Sequence, residues 1–120
     1  FKFAFVRNPW DRLHSAYRYL KAGGWNEKDK AWGEKHLAQY ENFNEFVIKW
    51  LTPENIKTHI HFKPQHEFIC DKRGNLLLDY IAYFETLNQD FGEIAARLNI
   101  KTTLETHNRN PGETYKNAYT

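Results

Sequence analysis

The chain has 120 residues, 41% of them hydrophobic and 17% aromatic, a load that fills a core, excludes wholesale disorder and suits one modest domain. A single cysteine, Cys70, excludes an internal disulfide, and no apolar run reaches the ~20 residues that span a bilayer. A net charge of +2 is too small to mark a nucleic-acid-binding surface. Residues 1–21, however, hold Lys2, Arg7, Arg12, Arg18 and Lys21 against Asp11 alone, which suits a small-anion site or a solvated helix face.

The chain contains no methionine and opens inside the apolar run Phe1-Lys2-Phe3-Ala4-Phe5-Val6, so it reads as an internal segment of a longer protein. That run predicts a buried strand, bounded by Arg7-Asn8-Pro9. Asn8 suits a helix N-cap and Pro9 the first helical position. The helix is expected to reach about Ala22, where Gly23-Gly24 stops it, with Leu13, Ala16, Tyr17 and Leu20 as its apolar stripe. Residues 23–41 lack a clear period and read as an excursion with a helical turn near 34–39. A short amphipathic helix follows from Asn44 to Leu51, capped by Asn42 or Asn44 and ended by Thr52-Pro53.

His59 to Gln65 reads as a loop around Pro64, and His66 to Cys70 as a strand. Asp71-Lys72-Arg73-Gly74-Asn75 is a turn with a glycine for positive φ. Leu76-Leu77-Leu78 is a further apolar run, and Tyr80 to Phe84 a buried strand. Glu85 to Asn88 leads into a helix ending near Asn99, with Phe91, Ile94, Ala95 and Leu98 on its apolar face. Asn110-Pro111-Gly112 predicts a turn in a polar tail. Strands alternating with helices predict an α/β sheet with helices on its faces.

The constellation richest in chemistry is the strand–turn–helix at Arg7. A strand ending in Arg puts a guanidinium at the carboxyl edge of a sheet, where open α/β folds bind ligands. The following helix start offers backbone N–H groups to a phosphate, and Arg7 can grip it in bidentate fashion. Ser15, about 9 Å further along the helix at 1.5 Å per residue, lies away from the Leu13/Tyr17 stripe. It reads either as a second phosphate ligand or as a solvated serine.

The stretch Phe5-Val6-Arg7-Asn8-Pro9-Trp10-Asp11-Arg12-Leu13, followed by Ser15-Ala16-Tyr17, resembles the 3′-phosphate-binding motif of sulfotransferases that use 3′-phosphoadenosine 5′-phosphosulfate (PAPS), most closely their carbohydrate branch. Supporting stretches are His61-Phe62-Lys63-Pro64-Gln65, the run Asp79 to Leu87 with Asp90-Phe91, and, more weakly, His107-Asn108 and Tyr115 to Tyr119. The resemblance implies a P-loop-NTPase-like parallel sheet flanked by helices, with Arg7 and Ser15 holding the 3′-phosphate of the nucleotide. It implies transfer of a sulfuryl group to a hydroxyl of a carbohydrate or another acceptor, with PAPS as co-substrate and no obligatory metal. By the same resemblance, residues 1–120 form a single partial domain without the family's N-terminal phosphosulfate-binding loop and C-terminal helix, and alone are expected to be inactive.

Other site candidates are fewer. His61, beside Lys63, is the candidate for proton transfer, against a loop histidine bonded to backbone. Glu85 can orient a neighbour or a substrate hydroxyl, or serve as a structural ion-pair partner. His59, His61 and His66 invite a zinc site, but Pro64 interrupts the element and no completing ligand stands nearby. Trp10, Trp25, Trp32 and Trp50 are not interleaved with a basic pattern, so packing is favoured over nucleic-acid stacking. A catalytically inactive nucleotide- or glycan-binding homologue is the competing reading. The expected compartment is the cytoplasm for a bacterial protein, or the Golgi lumen with membrane association only through flanking segments.

Overall fold

The computed structural model describes residues 1–105 and 114–119, which cluster into two compact units: 1–8 with 65–105, and 9–64 with 114–119. The turn expected at Asn110-Pro111-Gly112 and the pattern at His107-Asn108 lie outside the described residues. The elements bear out the α/β class.

The first unit holds two four-residue strands, β1 (Phe3–Val6) and β2 (Tyr80–Tyr83), paired in parallel with Phe3 opposite Tyr80 and Val6 opposite Tyr83. Both strands are less buried than expected. Side chains alternate across a strand, so Ala4 and Val6 are half-buried while Phe3 and Phe5 stand on the exposed side; in β2 only Ala82 is fully buried. Helix α5 (Leu87–Leu98) supplies Ile94 and Ala95 to the interior, as its apolar spacing predicts. Asp90 joins the strand to this helix, its carboxylate accepting from the Tyr83 N–H (2.7 Å) and the Thr86 hydroxyl (2.8 Å). Asn99, at φ 54°, ends α5, and Ile100 N–H closes the turn on the Ala95 carbonyl.

The strand expected over 66–70 is instead a short helix, α4 (His66–Ile69). Its residues show no alternation: His66, Glu67 and Phe68 are all exposed. Extended pairing survives only at its end, where Cys70 bridges Leu76 across the turn that Asp71 closes by accepting the Arg73 and Asn75 N–H groups.

The second unit contains α1 (Pro9–Lys21), α2 (Glu27–His36), α3 (Phe43–Trp50) and the short α6 (Tyr115–Ala118). Phe46 is its fully buried centre. Its ring meets Tyr17 (4.9 Å), Trp50 (5.0 Å) and Phe62 (5.6 Å) between centroids, in the offset and tilted arrangements that aromatic quadrupoles favour. The expected α1 stripe lies in this core, joined by buried His14, whose ring edge meets Phe43. Asn42 caps α3 by accepting from the Glu45 N–H.

Helix α2 replaces the expected excursion. Three features build it without an apolar stripe. Asn26 caps it by accepting from the Asp29 N–H. Trp32 anchors it among Trp50, Phe62 and His59. Gly33 then lets it come close to α1, because a Cβ there would stand 2.5 Å from the Leu20 carbonyl oxygen. The Gly23-Gly24 stop is as expected: Gly24 N–H closes on the Tyr19 carbonyl (2.9 Å) with φ 62°.

Gly33→Ala is therefore expected to lower stability by about 1–3 kcal/mol through forced separation of α1 from α2. Gly92→Ala in α5, where an added Cβ meets open space, should raise it by about 0.5–1 kcal/mol. Denaturant titration of both variants checks the contrast, and equal effects would contradict the packing assigned to Gly33.

Candidate functional site

In the first unit, the parallel register decides what surrounds Arg7. Val6 pairs with Tyr83, so the residues that follow both strands emerge at one edge: Arg7 and Asn8 from β1, Phe84 and Glu85 from β2. The Arg7 guanidinium carbon lies 4.2 Å from the centroid of the Phe84 ring, a cation–π contact that holds the half-buried side chain by its face. Glu85 accepts the Asn8 backbone N–H. That bond ties the segment after β2 to the turn after β1.

Gln65 secures the same turn from another direction. Its Oε1 accepts the Arg7 N–H and its Nε2 donates to the Arg7 carbonyl, each at 2.7 Å. One side-chain amide thereby satisfies both backbone groups of Arg7, as a paired strand would. Sequence reasoning assigned Gln65 and Phe84 no role. The available signal was position: Gln65 ends the His61-to-Gln65 stretch, and Phe84 directly follows a predicted strand.

In the second unit, Ser15 sits in the middle of α1, half-buried between buried His14 and Ala16. The start of α1 is tied down by Tyr119, whose hydroxyl donates to the Trp10 carbonyl (2.7 Å). Burial, with the nearby Asp11 charge, pushes that phenol up to about 12, so it remains a donor. Arg12 is used structurally. Its guanidinium donates to the Lys63 carbonyl (2.7 Å) and the Ile60 carbonyl (3.4 Å), fixing the 60–63 segment to α1. Burial lowers the Arg12 pKa from its ordinary value, a cost the two carbonyls offset.

His61 is exposed, and its ring lies edge-on to Tyr19 (5.2 Å) and parallel to His59 (5.2 Å). The structure thus brings His61 and Lys63 into one segment on α1, in the unit that holds Ser15. Arg7 with Glu85 belongs to the other unit. No group of His, Cys, Asp and Glu among the described residues is arranged to hold a metal ion, and no described helix is long and apolar enough to cross a membrane.

Comparison with known proteins adds one finding. The family model described as the sulfotransferase family matches residues 1–119. No curated protein and no solved structure matches the chain.

The bonds of Gln65 yield a test. Gln65→Ala should lower stability by about 1–3 kcal/mol, two hydrogen bonds at roughly 0.5–1.5 kcal/mol each. It should also speed exchange of the Arg7 amide. An unchanged Arg7 exchange rate would show that the side chain does not hold the turn.

Proposed function

The chain belongs to the sulfotransferase family, and from that premise we propose that it contributes the 3′-phosphate half of a PAPS site, for sulfuryl transfer to a carbohydrate hydroxyl. One observation carries the reading: a motif of this family runs from Arg7, directly after β1, to Ser15 on the helix that begins at Pro9. Arg7 gives the bidentate, charge-assisted grip a phosphate needs, and Ser15 a hydroxyl donor. The Phe84 contact and the Gln65 bonds support this by holding the Arg7 side chain and backbone before any ligand arrives, which reduces the ordering cost of binding. We read the parallel pairing of β1 with β2 as part of a P-loop-like sheet.

The chemistry places few demands on these residues beyond position. The acceptor oxygen forms its bond to sulfur as the bond from sulfur to the nucleotide phosphate oxygen breaks. The hydroxyl proton passes to a base, and the nucleotide leaves as 3′-phosphoadenosine 5′-phosphate. Rate comes from alignment and from stabilising charge on the departing oxygen. Arg7 and Ser15 act at the nucleotide's 3′ end and do not touch the reacting sulfur. Among side chains of suitable chemistry, exposed His61 is the one to test for uptake of the acceptor's proton.

Calorimetry with 3′-phosphoadenosine 5′-phosphate tests the assignment. Arg7→Ala should weaken binding by about ten- to a hundred-fold, the loss of charged hydrogen bonds, and Ser15→Ala by about ten-fold. Arg7→Lys should fall between wild type and Arg7→Ala, because it keeps charge without the fork. Unchanged affinity in both alanine variants would overturn the site.

A further inference from the structure

The second unit carries three imidazoles that the nucleotide reading does not use as a group. His59 is enclosed, its side chain 12% exposed. Its ring lies against Trp32 of α2 (4.6 Å) and is stacked on His61 (5.2 Å, 19° between planes), while His36 packs on the same indole (4.5 Å). One carboxylate serves the cluster. Asp29 Oδ1 lies 3.8 Å from His59 Nε2, and Oδ2 accepts from the Trp25 N–H (3.1 Å) and the Tyr19 hydroxyl (3.3 Å). The titratable groups facing His59 are therefore Asp29 and His36 from α2 and His61 from its own segment, with Tyr19 of α1 bonded to Asp29 and packed on His61.

The tautomer is set by a backbone bond. The His61 N–H donates to His59 Nδ1 (3.2 Å), so Nδ1 must be bare and the ring's proton sits on Nε2, toward Asp29. The His59 carbonyl accepts from the Phe62 and Lys63 N–H groups, closing residues 59–63 into one turn. Arg12 grips the Ile60 and Lys63 carbonyls of that turn. A second proton on His59 converts Nδ1 from acceptor to donor, so it then faces the His61 N–H donor to donor. The new charge also lies parallel to the His61 ring, in a half-buried site.

We propose that His59 is a proton-operated latch: neutral, it closes the 59–63 turn against Trp32; protonated, it releases the turn's first residues from α2. The inference concerns the second unit by itself and stands apart from the nucleotide reading. The direction follows from linkage. Burial, then the charge of His61, lower the His59 pKa from its ordinary 6.5, and Asp29 only partly opposes them. The closed state thus binds fewer protons than the open one. Its stabilisation is complete above 6.5 and is lost as pH falls from there through the closed-state value.

The test is a pH series from about 8 to about 5 on the whole chain, following the His59 ring and the His61 amide by NMR. Expected are a His59 midpoint below 6.5 and, after correction for intrinsic exchange, a loss of His61 amide protection at the acid end. His59→Asn keeps a neutral acceptor for the N–H two residues on, so its His61 amide should stay protected throughout. His61→Gln should raise the His59 midpoint by removing the stacked like charge. A wild-type His59 midpoint at or above 6.5 overturns the proposal even if His59→Asn does not fold. So does loss of His61 protection in His59→Asn in step with wild type.

Discussion

Parallel pairing of two four-residue strands is the constraint on which the candidate site's first half depends. Strands running the same way deliver the residues that follow them to one edge. With Val6 opposite Tyr83, the guanidinium of Arg7 and the ring of Phe84 arrive there together, as do the Asn8 N–H and the Glu85 carboxylate. An antiparallel pairing of the same segments would send these residues to opposite ends. Gln65 then bonds both the N–H and the carbonyl of the Arg7 backbone where the strand ends. Orientation of the basic side chain thus follows from register, and rigidity of its backbone from one amide.

The second unit is organised differently. Its stability centres on Phe46 and the rings around it, while polar groups fix segments to that core: Asn26 and Asn42 at helix starts, Arg12 on the 60–63 segment, Tyr119 on the first turn of α1. Among the described residues no buried side-chain nitrogen or oxygen lacks a partner, so the aromatic density carries no desolvation debt. Arg12 is instructive. It lies within the basic N-terminal cluster, yet its guanidinium is committed to carbonyls of its own chain. Local charge excess therefore overstates what is available to an anion.

What could be read from the sequence was what local rules dictate. The strand, the Asn-Pro junction, the glycine stop and the spacing of Leu13, Ala16, Tyr17 and Leu20 all pointed the same way, and β1 and α1 follow them. Helix α2 has no local signature because its support is tertiary: Trp32 packs on Trp50, 18 residues on, and Gly33 lies against the carbonyl of Leu20, 13 residues back. At 66–70, five residues of mixed polarity carry too little period to separate strand from helix, and the segment folds as α4. At the site, Arg7 and Ser15 were visible as types within a motif. Gln65 and Phe84 were not, since their use depends on closures of 58 and 77 residues that no local rule encodes.

The register has a kinetic consequence. Phe3 pairs with Tyr80 and Val6 with Tyr83, so this pairing cannot be completed until the chain has been made past residue 83. The helices between form from near neighbours and can collapse early, whereas closing so long a loop is entropically slow to reward. During synthesis, the edge of β1 that takes up β2 thus waits for its complement. Until β2 arrives, that edge of the segment leading into Arg7 is open to wrong partners.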